Sequence, residues 1–396
     1  MHERLQHLGA LRFNMTEGLL PRTLADRSRR PRDERFDTLT ARRPILEAGF
    51  AQVARQTPGV EIVRGVGVQE PLSDASDISG VPHVRGVRLS TGEQVTADLV
   101  IDAMGRRSQL PQWIAGLGGR PLTEEASDAG FAYYARHFRA RNGHVPEFRG
   151  PMGGPLGTLQ TLTIPGDNSS WTVALSPTAG DAPLKALRHA EVWERVVRSI
   201  PHIAHWLDGD PLTDVLPMAG VLDRYRRIVV DGKLVVTGLV AVGDSWACTN
   251  PTAGRGVSLG LQHAIALRDA VRDSGAEPCR LALRLDELTE TSLTPWYRDQ
   301  VERDRHRAAQ MSALVAGRTP DNGATPRQQM QVAFMAAAAH DPEVARAWLD
   351  TFLCLALPQE VMARPGLAQK VMSFAGAPVP QVSAPTRAAL LELVQG

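Results

Sequence analysis

The residues best equipped for chemistry lie in LVAVGDSWACTNPTAGRGVSLGLQHAIAL (239–267). A buried apolar strand delivers Gly243 and Asp244 at its C-terminal end, where open α/β sheets bind ligands. Asp244 is an acceptor suited to a sugar hydroxyl. Pro251 holds an extended loop, and Gly254 and Gly256 let backbone approach a ligand closely. They open a helix whose free N–H groups and positive dipole favour anions. This is not the dinucleotide fingerprint, because ten residues separate Asp244 from the start of the helix at Gly254. GVGVQE (65–70) also fails, lacking the third glycine. No Ser/His/Asp set or metal cluster stands out. The three cysteines (Cys248, Cys279, Cys354) are far apart, which argues against a disulfide framework and a zinc site. Cys248, inside the glycine loop, reads as a buried inert thiol.

Several function classes are excluded early. The 396 residues carry 44 basic and 43 acidic side chains, so no net charge calls for nucleic acid. The basic residues are almost all arginine, with Lys185, Lys233 and Lys370 the exceptions, which reads as codon bias. A 43% hydrophobic content suits a large core and rules out disorder and coiled coil. The longest apolar stretch, Leu234 to Val242, is nine residues against the ~20 a membrane span needs. The N-terminus has no secretory h-region, so a soluble, cytoplasmic protein is expected.

The elements that must position the glycine loop follow from periodicity. Residues 21–35, with six arginines, three acidic residues and two prolines, read as an exposed loop. RRPILEAGFAQVARQ (42–56) is helical, and VEIVRGVGV (60–68) is strand-like. HVRGVRLSTGEQVTADLVIDAMG (83–105) reads as two strands turning at Ser90–Glu93, the second ending in a fully buried Leu99-Val100-Ile101. A small helix is expected around Gln109–Ala115. FAYYARHFRA (131–140), TLQTLTIP (158–165) and SWTVALSP (170–177) alternate as strands of an inserted antiparallel sheet, with a helix at 191–200. The remainder from about 281 is helical. This order is α/β or α+β, not a bundle.

These stretches together resemble the flavin-dependent monooxygenases of the para-hydroxybenzoate hydroxylase type, related to geranylgeranyl reductases and flavin-dependent halogenases. The resemblance rests on the GD segment, Gly243-Asp244…Pro251…Gly254-Arg255-Gly256, on ADLVIDAMGRRS (97–108) and on RPILE (43–47). It implies an FAD whose ribityl chain meets Asp244 and whose pyrophosphate and flavin O2 lie near the helix N-terminus. It adds Asp102 and Gly105 of the second motif, with Arg106 and Ser108, as cofactor contacts. It places Arg43, ahead of Arg42, on the FAD phosphates or adenosine, and backbone near Val68 on the adenine. The implied fold is an incomplete Rossmann-like FAD-binding domain (1–127 and 233–280), an inserted β-sheet substrate domain (128–232) and a helical C-terminal region (281–396).

Two features depart from the family. The GD segment lacks the His often found four residues after its Gly, and no strand–GxGxxG–helix unit with its acidic residue about 20 positions on is present. The expectation is therefore that the functional polypeptide begins upstream of Met1, and that the chain as given is sticky and weakly stable. Flavin chemistry makes a monooxygenase or hydroxylase on a small aromatic or isoprenoid-like substrate the leading reading, with NADH or NADPH as electron donor. Tyr133, Tyr134, Arg136, His137 and Trp171 are candidates for the substrate wall, only one of the two tyrosines facing the flavin. TLTIPGDNSSW (161–171) has the I-P of the halogenase W-x-W-x-I-P stretch without its tryptophans. Leu162, Thr163 and Ile164 before Pro165 match the reductases' aromatic strand poorly. The alternatives are a flavoprotein remnant without catalysis and a flavin-dependent reductase.

Overall fold

The computed structural model describes residues 1–74, 76, 78–275, 277–320, 325–379 and 382–396. They form two compact units: residues 1–62, 130–220 and 306–396, and residues 63–129 and 221–305. The antiparallel sheet expected within 128–232 lies in the segment 130–220 of the first unit. The expected grouping differs, because the first 62 residues and those from His306 onward belong with that sheet.

In the first unit the strands run Asp210–Pro211, Tyr133–Arg139, Ser170–Pro177, Leu159–Pro165, Gly153–Leu156, all antiparallel, with Leu216–Met218 also on Tyr133–Arg139. Strict alternation makes the strand: Leu159, Thr161, Thr163 and Pro165 are buried and the residues between them half-buried. Asn168 and Ser169, both at positive φ (49° and 55°), turn Leu159–Pro165 into its neighbour. The face bearing Trp171, Val173 and Leu175 packs on the helix Ala190–Arg198 through Trp193, Val196 and Val197. That i, i+3, i+4 spacing is the buried stripe of an amphipathic helix. The C-terminal helix Arg387–Gln395 joins the same core through Leu390 and Val394.

The arginine-rich arm at 21–35 is largely exposed, as expected, but it is pinned at Leu24 and Asp33, which are buried: Arg346 of the helix Pro342–Phe352 donates to both oxygens of Asp33 at 2.7–3.1 Å. A partner 313 positions away neutralises a buried carboxylate that local charge pattern marks as solvated.

Among the described residues the second unit holds four small sheets, one of them the two-stranded ribbon of Val229–Val230 with Lys233–Leu234. Val68–Asp74, His83–Leu89 and Gln94–Thr96 form an antiparallel meander. Thr123–Asp128, Leu222–Arg227 and Ala247–Cys248 form another. Val100–Asp102 and Leu239–Ala241 form a parallel pair. Helices Leu110–Gly116, Gly256–Ser274 and Pro278–Ser292 and the first half of Thr294–Val315 complete it. Val235, Val236, Leu239 and Val240 are buried as expected. Two expectations need correction. The run 60–67 is irregular and largely exposed, since no described strand gives it a ladder. Ile101 is 47% exposed rather than buried, because Val100–Asp102 pairs along one edge only.

Candidate cofactor site

The site begins where the parallel pair ends. Asp102 lies opposite Ala241, so the turns Gly105–Arg107 and Gly243–Ser245 leave the two strands at the same end. Buried Asp102 accepts hydrogen bonds from the Met104 N–H at 2.9 Å, from Ser245 Oγ at 3.0 Å and from the Ser108 hydroxyl. Ser245, fully buried, accepts in turn from the Gly105 N–H at 2.7 Å. Arg226 donates from Nη1 to Ser108 Oγ at 3.0 Å and from Nε to Glu124 at 2.5 Å. Asp102 therefore commits its carboxylate to three protein donors. Through them it ties the two turns together.

Gly243 sits at φ 58°, where a side chain is strained, and its N–H donates to His263 Nδ1 at 3.2 Å. That bond makes Nδ1 the acceptor and leaves Nε2–H to donate to Thr289 Oγ1 at 3.3 Å. Burial of His263, whose ring meets Trp246 edge-on at 4.8 Å, pushes its pKa down to about 4. The ring is neutral at neutral pH, as the acceptor role requires. Asp244 follows Gly243 half-buried, and its Cβ lies 3.7 Å from where a Cβ on Gly105 would be.

The loop then closes through Asn250, whose Oδ1 accepts from the Thr252 N–H at 3.0 Å and caps the turn Pro251–Ala253. Gly254 adopts φ 67°, and Gly256 starts the helix Gly256–Ser274. A Cβ at Gly254, Gly256 or Gly260 would meet nothing within 4 Å, so packing does not require these glycines. Arg255 between them is buried, 5.2 Å from the Trp296 ring and 3.4 Å from Asp299. The first helical turn thus offers backbone N–H groups on an unobstructed glycine surface. Further along this helix Val257, Leu261 and Ile265, spaced by four, are each about half exposed.

Of the residues picked from sequence, the structure brings Asp102, Gly105, Gly243, Asp244, Pro251, Gly254 and Gly256 into one stretch of the second unit. Val68 opens the meander opposite Leu89 in that unit and is 39% exposed. Arg43 lies on the surface of the first unit, paired with Glu47 at 2.5 Å. Arg42 is tied into the fold by Asp167, which accepts from its N–H at 2.7 Å and its Nη2 at 2.7 Å. Sequence reading missed Ser245, Arg226 and His263. Ser245, next to Asp244, was the one a buried-turn argument could have found; nothing local marks Arg226.

The proposed substrate wall is mostly interior. Tyr134 and Trp171 are in the core against Ala190–Arg198, and Arg136 bonds Glu194 of that helix at 2.6 Å. Tyr133 and His137 take the opposite face by alternation, with His137 Nδ1 2.7 Å from Thr172 Oγ1. Cys248 is buried, its Sγ 3.5 Å from the Leu222 carbonyl, and burial pushes the thiol pKa up.

A shared architecture accounts for this arrangement. The structure of PqsL from Pseudomonas aeruginosa, described as a probable FAD-dependent monooxygenase, superposes with a TM-score of 0.58. The superposition covers 80% of this chain and 83% of that one at 14% identity. The chain has the fold of the FAD-dependent monooxygenases. By sequence it is 26% identical over 273 residues to protein Rv3254 of Mycobacterium tuberculosis, covering 66% of this chain and 56% of that one. It is 29% identical over 212 residues to the ubiquinone hydroxylase UbiL of Rhodospirillum rubrum, covering 52% of this chain and 44% of that one. The chain thus spans about half the length of these curated relatives. No protein-family model matches it. No described helix is long and apolar enough to cross a membrane.

Proposed function

We propose that this chain binds FAD and serves as a monooxygenase or hydroxylase on a small organic substrate, with NADH or NADPH as electron donor. The observation that carries the reading is the glycine turn Gly254–Gly256. It opens a 19-residue helix beside the end of the parallel strand pair, with open space where side chains would stand. Helix N-terminus and free N–H groups suit the anionic portion of the cofactor. Asp244 suits a ribityl hydroxyl, and Pro251 and Gly243 hold the loop that presents it. Gly105 and Val68 backbone would complete the contacts within this unit. Bound flavin would supply the redox chemistry, and the chain's residues position it and exclude water.

The likeness to a probable FAD-dependent monooxygenase and to a ubiquinone hydroxylase favours hydroxylation over the reductase and halogenase readings. A purified full chain titrated with FAD tests the proposal. Quenching of flavin fluorescence with a perturbed visible spectrum is expected, followed by flavin-dependent oxidation of NADH or NADPH. A chain that leaves the free-flavin spectrum unchanged at tens of micromolar would overturn it.

A further inference from the structure

The turn Gly243–Ser245, which carries Asp244, and the helix that opens at Gly256 are separate elements. A ligand that meets both needs them at one fixed spacing. The strand ladder does not supply it. Val242 N–H, donating to the Asp102 carbonyl at 3.0 Å, is the last amide the parallel pair holds, and Gly243 is the first residue beyond it. From there the helix takes over. Gly256, Gly260 and His263 recur at intervals of four and three and so share one helix face. A Cβ on Gly243 would lie 3.9 Å from the Gly260 Cα, so the turn sits close on the helix backbone. Three residues on, His263 Nδ1 accepts the Gly243 N–H at 3.2 Å, and the ring of Trp246 meets the imidazole edge-on at 4.8 Å. His263 is 1% exposed. Its Nε2 lies 3.3 Å from the hydroxyl of buried Thr289, on the helix Pro278–Ser292.

This arrangement works in one protonation state. Among the described residues the hydrogen-bond partners of His263 are Gly243 and Thr289. The Thr289 hydroxyl can accept from Nε2–H, which leaves Nδ1 bare for the Gly243 amide. A second proton on the ring would set N–H against N–H at Nδ1. The charged groups that line the same interior space are already engaged: Arg227 pairs with Asp286 at 2.7 Å, and Arg226 with Glu124 at 2.5 Å.

We propose that His263 is a positioning residue, a neutral imidazole that fixes the Gly243–Asp244 turn against the helix and so sets the spacing of the two halves of the cofactor site. Removing or protonating its Nδ1 acceptor frees the turn and displaces Asp244. The effect on ligand affinity rests on the FAD reading; the effect on the turn does not. Linkage gives the sign. Burial holds the ring at about 4, against 6.5 for a hydrated histidine, so the closed turn favours the neutral form. Opening becomes easier as pH falls from about 6.5 to about 4, by up to about tenfold per unit, and ignores pH above that window.

Hydrogen–deuterium exchange on the full chain without added cofactor tests this, following the amides of residues 243–246 from pH 4.5 to 8 after correction for intrinsic exchange. The strand His83–Leu89 of the same unit is the reference for wider unfolding. In the parent, protection of 243–246 should fall below about pH 6.5 while the reference strand holds. His263→Leu removes the acceptor and should expose these amides at every pH. His263→Asn, whose amide oxygen offers an acceptor near the place of Nδ1, should restore protection and make it independent of pH. Should His263→Leu fail to fold, Thr289→Val serves instead: it removes the group that fixes the tautomer, and should lower protection of 243–246 ahead of the reference strand. Amides that move only together with the reference strand, or that are alike in the Leu and Asn variants, would make His263 a packing residue and overturn the assignment. FAD titration of the same proteins separates the two readings. His263→Leu should weaken FAD binding by about tenfold, with Asn close to the parent. Amides that respond as expected with no FAD binding in any variant would uphold the positioning role and sink the flavin proposal. Tight FAD binding that His263→Leu leaves untouched would do the reverse.

Discussion

A Cβ added to Gly209 in the first unit would lie 2.5 Å from the Trp171 ring and 2.7 Å from the Arg139 carbonyl oxygen. One added to Gly256 in the second unit would meet nothing within 4 Å. In the sheet of the first unit a glycine marks close packing. At the start of the helix Gly256–Ser274 it marks a surface kept clear. Composition cannot separate these cases, because both are glycines beside polar residues in the sequence. What separates them is whether other parts of the chain come back to fill the space.

The contrast breaks first in the core of the first unit. Trp171 is 2% exposed, packed against Phe138 and Trp206, with its Nε1 donating to the Trp206 carbonyl at 2.8 Å. Trp171→Ala should cost about 3–5 kcal/mol, read from the denaturation midpoint and slope. A loss under about 1 kcal/mol would mean the sheet face is not a packed one.

The next effect belongs to the second unit and to pH. His263 has a folded pKa near 4 against 6.5 unfolded, so its neutral form is what folding favours. Stability from this group is full above pH 6.5 and is lost as pH falls toward 4, by up to about 3 kcal/mol. His137, His202 and His205 are also depressed by burial, so the parent alone cannot assign the slope. Comparing His263→Gln with the parent isolates it: the variant should lose part of the acid-side slope. Identical slopes would place His263 outside the linkage.

For the glycine turn the effects are on binding. Asp244→Ala removes a half-buried charged acceptor worth roughly 1.5–3 kcal/mol, so FAD affinity should fall by roughly one to two orders of magnitude. Circular dichroism should stay near native. Parental affinity in this variant would remove Asp244 from the site. The smallest expected change in stability is at Gly256→Val, within about 0.5 kcal/mol, since the position is open and exposed. Its FAD affinity should nonetheless fall, because a β-branched side chain then stands in the cleared space. A lowered melting temperature with unchanged flavin binding would make Gly256 a packing glycine like Gly209.

Much of the fold was legible where periodicity is strong and local. The strands Leu159–Pro165 and Ser170–Pro177 and the helices Arg43–Gln56 and Ala190–Arg198 fall where alternation or 3.6-residue spacing placed them. The run 60–67 shows the limit. Its β-branched residues have strand propensity, but a strand needs a ladder partner, and none of the described strands supplies one. Ile101 shows it again, since an apolar residue is buried only if something covers it.

For the candidate site, sequence alone determined the chain order of the parts: strand, Gly243-Asp244, Pro251, then glycines opening a helix. Turn chemistry and helix starts are local properties, readable from a dozen residues. Tertiary structure decided which side chains hold those parts in place. Asp102 reaches Ser245 across 143 positions, Arg226 reaches Ser108 across 118, and His263 supplies the acceptor for Gly243 from the next helix. It also decided that Arg42 belongs to Asp167 while its neighbour Arg43 stays at the surface. Each of these pairings depends on burial and on a partner distant in sequence, and the energy of a buried polar group is set by the partner it finds.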